Sequence, residues 1–323
     1  MARIFVTGGA GFIGSTYVRH LVDASDDEIT VFDALTYAGR RENLDGLIDG
    51  HRVRLVVGDV ADRDAVRSAI AGHDLVAHFA AESHVDRSLQ DPDVFVRTNC
   101  VGTNVVCDEA RRADVARFLH VSTDEVYGSI TRGAFAEDAP LSPSSPYSAS
   151  KAGSDLIALS HHTSHGLPVI VSRSSNQFGP RQFPEKLIPF FVTTLLRGGD
   201  VPVYGDGTNV RDWLAVEDNC AALDTLLRRG EPGTVYHVAG HNERTNLEVV
   251  DGVLACLGLD RSRVRFVEDR PGHDFRYAIS TARSDALGIA PGRGFEAALE
   301  ETVRWYVDHP YWWEPLVSLV RNR

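Results

Sequence analysis

Tyr147 and Lys151 stand four residues apart in the run SPYSASK. A helix start is signalled just before them, with Ser145 placed to cap the free backbone amides and Pro146 suited to the first helical position. Both side chains then lie on one helix face. An ammonium beside a phenol favours the phenolate and lowers the Tyr pKa from its free value of about 10 toward the range of a usable base. Tyr147 is therefore a candidate proton acceptor for an alcohol being oxidised. Composition singles out the lysine, because only Lys151 and Lys186 among the 33 basic residues are not Arg, and a compact amine is not interchangeable with a planar guanidinium. Upstream, Phe118 to Val121 reads as a buried strand ending in Ser122, Thr123, Asp124 and Glu125. Two adjacent carboxyl groups thus stand at a strand's carboxyl end, where open α/β sheets place their chemistry. Singly, each feature has a bland reading: chance spacing for the Tyr and Lys, a solvated turn for the Asp and Glu.

A second constellation opens the chain. Ile4 to Thr7 reads as a short buried strand running into Gly8, Gly11 and Gly14, a G-x-x-G-x-x-G spacing followed by apolar residues at helical period. That arrangement gives a tight turn, close approach of backbone to a pyrophosphate, and a helix amino terminus aimed at the phosphates. The strand Ile29 to Phe32 ends at Asp33, about 20 residues beyond the glycines, where an acid can hold both ribose hydroxyls. Ala34 follows, with no adjacent cation for a 2′-phosphate, so NAD is expected rather than NADP.

The elements that must position these groups alternate as βα units through the first half, which predicts an α/β fold with a Rossmann-type, doubly wound parallel sheet. Gly58, Asp59 and Val60 follow a strand at Val53 to Val57 and read as an adenine edge. Leu75 to Phe79 ends in Ala80, Ala81, Glu82, Ser83 and His84, where small residues let a cofactor approach the backbone. His84 could contact substrate or be a hydrogen-bonded structural residue. The helical pattern from Asp93 to Arg111 carries Thr98, Asn99 and Asn104, which either bridge strand backbone or reach the cofactor. Beyond about Arg173 the rhythm breaks. Residues 1–173 are read as the NAD-binding domain and 174–323 mainly as a smaller, interleaved substrate-binding domain, part of which returns to the first. Arg211, Arg270, Arg276 and Lys186 are candidates to clamp an anionic substrate group, although an isolated Arg is commonly a surface residue. His161, His162 and His165 have no companion carboxylate or Cys motif and read as a solvated helix face, not a metal site. The aromatic tail around Trp305, Trp312 and Trp313 reads as packing.

With 323 residues, 43% hydrophobic and 24% charged, the chain has ample material for a core. A net charge of −12 argues against a general nucleic-acid or anionic-membrane surface. Cys100, Cys107, Cys220 and Cys256 show no metal or disulfide spacing and suit a reducing compartment. With no leader-like or membrane-spanning apolar run in the sequence, the expected location is the cytoplasm.

Taken together these motifs resemble the extended short-chain dehydrogenase/reductase family, and within it the dTDP-glucose 4,6-dehydratases. The similarity runs along nearly the whole chain: TGGAGFIGS, LTYAG at Leu35 to Gly39, FAAESHVDRS at Phe79 to Ser88, STDEVYG, SPYSASK, FPEKLIP, RDW at Arg211 to Trp213, GHNE at Gly240 to Glu243, and RPGHD at Arg270 to Asp274. The adjacent Asp and Glu after Thr is the specific signal. Related epimerases and decarboxylases share the glycine loop and the Tyr-Lys pair and generally lack it.

The resemblance implies a lyase acting on a nucleotide-glucose. Tyr147, assisted by Thr123 and Lys151, would take the proton of the sugar 4-hydroxyl as hydride passes to NAD. Glu125 would be the base at C5 and Asp124, protonated, the acid on the departing 6-hydroxyl. It also implies cofactor contacts at Gly8, Gly11, Phe12, Ile13, Gly14, Asp33, Asp59, Val60, Ala80, Ala81, Ser83, Thr98, Tyr147, Lys151 and Gln177. Substrate contacts would fall at His84, Thr123, Asn176, Lys186, Leu187, Pro202, Tyr204, Arg211, Asn246, Arg270 and His273, with dTDP-glucose as the partner and a homodimer as the assembly. Gln177 stands where a second Asn is usual, Phe275 where Arg is frequent, and Ala34 where Lys often follows the ribose acid. A 4-epimerase or decarboxylase would use the same oxidation without the carboxyl pair. A silent NAD-sensing protein would need none of these reactive groups.

Overall fold

The computed structural model describes residues 1–269 and 273–320. Among these the strands run β1 (Arg3–Thr7), β2 (Glu28–Asp33), β3 (Val53–Val57), β4 (Leu75–His78), β5 (Arg117–Thr123), β6 (Val169–Ser174), β7 (Asn176–Phe178), β8 (Val201–Tyr204), β9 (Val210–Ala215), β10 (Thr234–Val238), β11 (Glu243–Thr245) and β12 (Val264–Val267). Seven form one parallel sheet in the order β10-β6-β5-β4-β1-β2-β3. The chain builds outward from β1 through β2 to β3, then crosses to β4 and builds the other way. The order reverses between β1 and β4, which opens a crevice at the strands' carboxyl ends.

Apolar runs rather than alternating ones make these strands, because helices cover both faces of the sheet. Ile4 and Val6 pack with Tyr17, Val18 and Leu21 of the Phe12–Ala24 helix on one face. Phe5, between them, packs with Val66, Ile70 and Val106 on the other. The Pro146–His165 helix starts as its sequence predicts, with Pro146 first and Ser145 and Ser148 in a reciprocal cap, the Ser145 hydroxyl accepting from Ser148 N at 3.1 Å.

Helical periodicity alone misses the wide turn at residues 96–102. There Asn99 leaves the regular ladder, its Oδ1 accepting from Glu82 N at 2.8 Å and its Nδ2 donating to Glu82 O at 3.0 Å and Ser150 Oγ at 2.8 Å. Of its two sequence readings the structure selects the backbone bridge. Asn104 is exposed and pairs with His161 Nε2 at 3.1 Å.

A smaller region holds the sheet β11-β9-β7 and the pair β12-β8. Its own core gathers Phe178, Phe191, Trp213, Val250, Trp312 and Trp313. The aromatic tail is packing: Trp313 Nε1 donates to Tyr306 O at 2.7 Å, and Trp312 Nε1 to Asn43 Oδ1 at 3.2 Å. From this half of the chain β10 joins the large sheet beside β6, and the Val216–Arg229 helix places Leu223, Leu226 and Leu227 in the first core. Among the described residues no helix is long and apolar enough to cross a membrane.

Candidate active site

One long cleft runs from the glycine loop to Lys186 along the carboxyl ends of the strands. Its wall includes Gly8, Gly11, Phe12, Ile13, Gly14, Asp33, Asp59, Val60, Ala80, Ala81, Ser83, Thr98, Gln177, Tyr147 and Lys151, together with Thr123, Asp124, Glu125, Asn176 and Lys186. Residues from across the sequence converge here because the loops after β1, β2, β3, β4, β5 and β6 all open on the same edge.

The loop end is shaped for a flat, anionic group lying against backbone. Gly8 has φ +67°, and a Cβ there would lie 2.5 Å from Ala80 N. Gly14 lets the helix close on the loop, since a Cβ would collide with Gly8 O. Among the described residues no side chain caps the start of the Phe12–Ala24 helix, so its first amides face the cleft end without a competitor from that set. Asp33 is buried, its Oδ2 accepting from Ala10 N at 2.9 Å and its Oδ1 from Leu35 N at 2.8 Å. Burial raises its pKa and these two amides oppose the rise. The donor set and the cradle fit a dinucleotide.

At the other end, Lys151 is buried and its Nζ donates to Val121 O at 2.8 Å. Burial pushes its amine down to about 8, against the pull of Asp155. Tyr147 is buried beside it, with Phe95 edge-on at 6.3 Å. The expected lowering of the Tyr147 pKa is corrected by the structure. Burial raises it, the Glu125 charge adds to the rise, and the opposing influence is a hydrogen bond with Thr123. The ammonium meanwhile is engaged by the Val121 carbonyl.

The two carboxyls differ as two roles require. Asp124 is 2% exposed, and its pKa is raised well above the carboxylate range by burial, then by Glu125 and Asp212, with Arg211 opposing. Its Oδ2 is buried with no hydrogen-bond partner among the described residues, which favours the protonated acid. Glu125 is half-buried and lines the same cleft. The turn Asp124–Tyr127 that carries both is capped by Thr123, whose hydroxyl accepts from Glu125 N at 3.3 Å.

Other predicted substrate residues lie off the cleft wall. His84 caps the Val85–Gln90 helix, its Nδ1 accepting from Arg87 N at 3.4 Å. Leu187 opens the Leu187–Leu196 helix. Pro202 and Tyr204 sit on β8, where the Tyr204 and His273 rings meet edge-on at 6.2 Å. Asn246 starts the Asn246–Leu257 helix, its backbone N donating to Asn209 O at 2.9 Å. Arg211 is buried over the Tyr277 ring and donates to Val210 O at 2.7 Å, Asp274 O at 2.9 Å and Phe275 O at 3.3 Å. Arg276 is corrected as an anion clamp, because Glu243 Oε2 holds its Nε at 2.9 Å and Gly133 O its Nη1 at 2.9 Å. Arg270 lies outside the described residues.

Sequence reasoning passed over Tyr37, Glu82, Glu185 and Tyr277. Tyr37 lines the cleft, donates to Glu185 Oε1 at 2.8 Å and lies 3.6 Å beneath the Arg87 guanidinium. The LTYAG match contained it without giving it a contact. Glu82 lines the cleft with its pKa raised by burial. Tyr277 donates to Asp274 Oδ2 at 2.6 Å and is close enough to Glu125 for that charge, after burial, to raise its pKa.

The family model of GDP-mannose 4,6 dehydratase matches residues 5–302. A dTDP-glucose 4,6-dehydratase of Streptomyces niveus is 50% identical over 322 residues, covering 98% of this chain and 96% of its own. A crystal structure of DesIV, a dTDP-glucose 4,6-dehydratase from Streptomyces venezuelae with NAD and TYD bound, superposes with a TM-score of 0.95 at 49% identity, over 97% of this chain and 99% of that one. A Thermus thermophilus UDP-glucose 4-epimerase complex with NAD has a TM-score of 0.87 at 31% identity, over 94% and 99%. The fold is thus shared with a protein of a different printed activity. By the family match and the full-length relatives, this chain belongs to the GDP-mannose 4,6-dehydratase family and stands within it beside the dTDP-glucose 4,6-dehydratases.

Proposed function

We propose that this chain is an NAD-dependent hydro-lyase that converts dTDP-glucose to dTDP-4-keto-6-deoxyglucose and water, a step of deoxysugar biosynthesis. The observation that carries the reading is the pair of unlike carboxyls in the cleft that also holds Tyr147 and Lys151: Asp124 with its pKa raised by burial, Glu125 beside it and open to the cleft. Likeness to relatives of that name supports the substrate.

The glycine loop and Asp33 would hold NAD, which would supply a hydride acceptor for sugar C4 and a hydride donor for C6. Thr123 and Tyr147 bind the 4-hydroxyl, and Tyr147 takes its proton. The hydrogen bond with Thr123 favours the phenolate against burial, while Lys151, donating to Val121 O, holds the Tyr147 helix in place. Once C4 is a ketone the C5 hydrogen is acidic, and Glu125 removes it. Asp124 gives its proton to the 6-hydroxyl, which leaves as water. An acid and a base side by side need pKa values pushed apart, and the deeper burial of Asp124 does this.

The division of labour between the parts belongs to the same reading. Residues 1–173 hold the cofactor, and 174–323 mainly hold the sugar nucleotide, with Asn176, Lys186, Leu187, Pro202, Tyr204, Arg211, Asn246 and His273 on that side. Leu89, Val96, Val101 and Leu156 are exposed on neighbouring helices of the first part, an apolar surface that suits a homodimer. Four free thiols suit the reducing cytoplasm.

Incubating the purified protein with dTDP-glucose tests the reading. A 4-keto sugar that develops its chromophore in base supports it. A nucleotide-galactose product would instead make the chain a 4-epimerase.

A further inference from the structure

Behind the cleft a buried polar chain joins the two halves of the chemistry. Asp155 lies one helical turn beyond Lys151 and is fully buried. Its Oδ2 accepts from Arg173 Nε on β6 at 2.8 Å, and its Oδ1 lies 3.2 Å from His120 Nε2 on β5. Arg173, itself buried, donates through Nη1 to the Tyr127 hydroxyl and stacks 4.9 Å above that ring. The same hydroxyl lies 2.7 Å from His237 Nε2 on β10. Tyr127 closes the turn Asp124–Tyr127 that carries both carboxyls. Asp155, Arg173 and Tyr127 are all absent from the cleft wall.

A buried ion pair is weak evidence for stability, since desolvation offsets most of its attraction, and its retention asks for another role. We infer that Asp155 is a positioning residue: its charge keeps Lys151 an ammonium, and through Arg173 and Tyr127 it fixes the Asp124–Glu125 turn against the Tyr147–Lys151 helix. The part concerning the turn rests on the dehydratase reading, and the part concerning Lys151 does not.

The electrostatics agree with this geometry. Burial pushes the Lys151 amine down to about 8, and Asp155 is the foremost influence opposing it, ahead of Cys100 from the 96–102 turn. Burial would raise Asp155 itself, yet His120, Arg173 and Lys151 together bring it below the usual carboxylate value. The groups facing the pair are thus Cys100, His120, Arg173, Tyr127 and, on the same helix, Tyr147. Burial lowers the pKa of both His120 and His78, and an imidazole carries no negative charge in either protonation state, so neither replaces the Asp155 carboxylate.

The chain contains only two lysines, which makes Lys151 directly observable. In protein carrying 13Cε-lysine and its bound cofactor, two side-chain signals are expected, and Lys186→Arg assigns them. In Asp155→Asn the Lys151 signal should titrate at least about one pH unit lower than in the parent. The alkaline limb of kcat should move with it, while KM for dTDP-glucose stays within about two-fold. An unchanged Lys151 titration in folded Asp155→Asn overturns the inference. That reading needs no turnover, so it is separate from failure of the dehydratase assignment, which would show as an inactive parent. Tyr127→Phe removes a single oxygen and covers the case in which Asp155→Asn does not fold. It should lower kcat about ten-fold through misplacement of the turn, with more bound NADH in the steady state. Parent-like kcat in Tyr127→Phe would overturn the brace.

Discussion

The ammonium of Lys151 donates to the carbonyl oxygen of Val121 at 2.8 Å, so the helix bearing Tyr147 is pinned to the strand that ends at Thr123 and leads into Asp124 and Glu125. Losing that donor loosens the register between the residues assigned to oxidation and those assigned to elimination. Lys151→Met keeps the stem and removes both donor and charge. It should lower kcat by about 10²-fold or more with a smaller effect on KM, measured by steady-state kinetics. In the parent, kcat should fall as pH rises through about 8, where the buried ammonium loses its proton. Lys151→Arg should lose that alkaline limb at a reduced kcat, because a guanidinium does not titrate there.

Asp124→Asn separates stability from chemistry. A carboxyl whose folded pKa is raised above its unfolded value costs stability at every pH above the unfolded value, and the cost grows until the folded value is reached. The amide has no such cost. Its melting temperature should therefore be no lower than the parent's at neutral pH, with the difference widening as pH rises above the ordinary carboxylate value of about 4. Turnover should collapse while C4 oxidation continues, so that bound NADH accumulates and is read by its absorbance. An unchanged turnover contradicts the acid role.

Glu125→Gln should slow the exchange of a C5 deuterium into solvent by about 10²-fold or more, followed by NMR of the sugar. Exchange at the parent's rate removes Glu125 as the base.

Gly8→Ala places a Cβ against Ala80 N and puts alanine at φ +67°. The strain, of order 1–3 kcal/mol, falls on the cofactor loop. The variant should be purified with less bound NAD and a lower melting temperature. Equal cofactor content, measured after acid release, would argue against the close approach of backbone to pyrophosphate.

Local signals were the legible ones. The glycine spacing, Asp33, the Ser145–Pro146 start of the helix that carries Tyr147, and the strand leading into Asp124 and Glu125 each depend on a few neighbouring residues, and the groups they position meet in one cleft. Contacts between distant segments left no such trace. Arg276 reads as a cation until Glu243, far away in the chain, is seen to hold it. The Tyr147 pKa depends on how deep the ring is buried, and helical spacing to Lys151 carries no depth. Asn99 required a wide turn that the apolar period of its helix does not announce. The return of β10 to the large sheet depends on a partner, β6, more than 50 residues upstream, about an order of magnitude beyond the usual connection length.

The central claim is that one bound nicotinamide takes a hydride from C4 and gives the same hydride back at C6, while Tyr147, Asp124 and Glu125 move the protons. The most direct measurement is the fate of the label when dTDP-glucose carrying deuterium at C4 is converted by the protein in ordinary water. The product should hold that deuterium in its C6 methyl group, with a solvent hydrogen at C5. Deuterium retained at C4, or lost to solvent, would contradict the account.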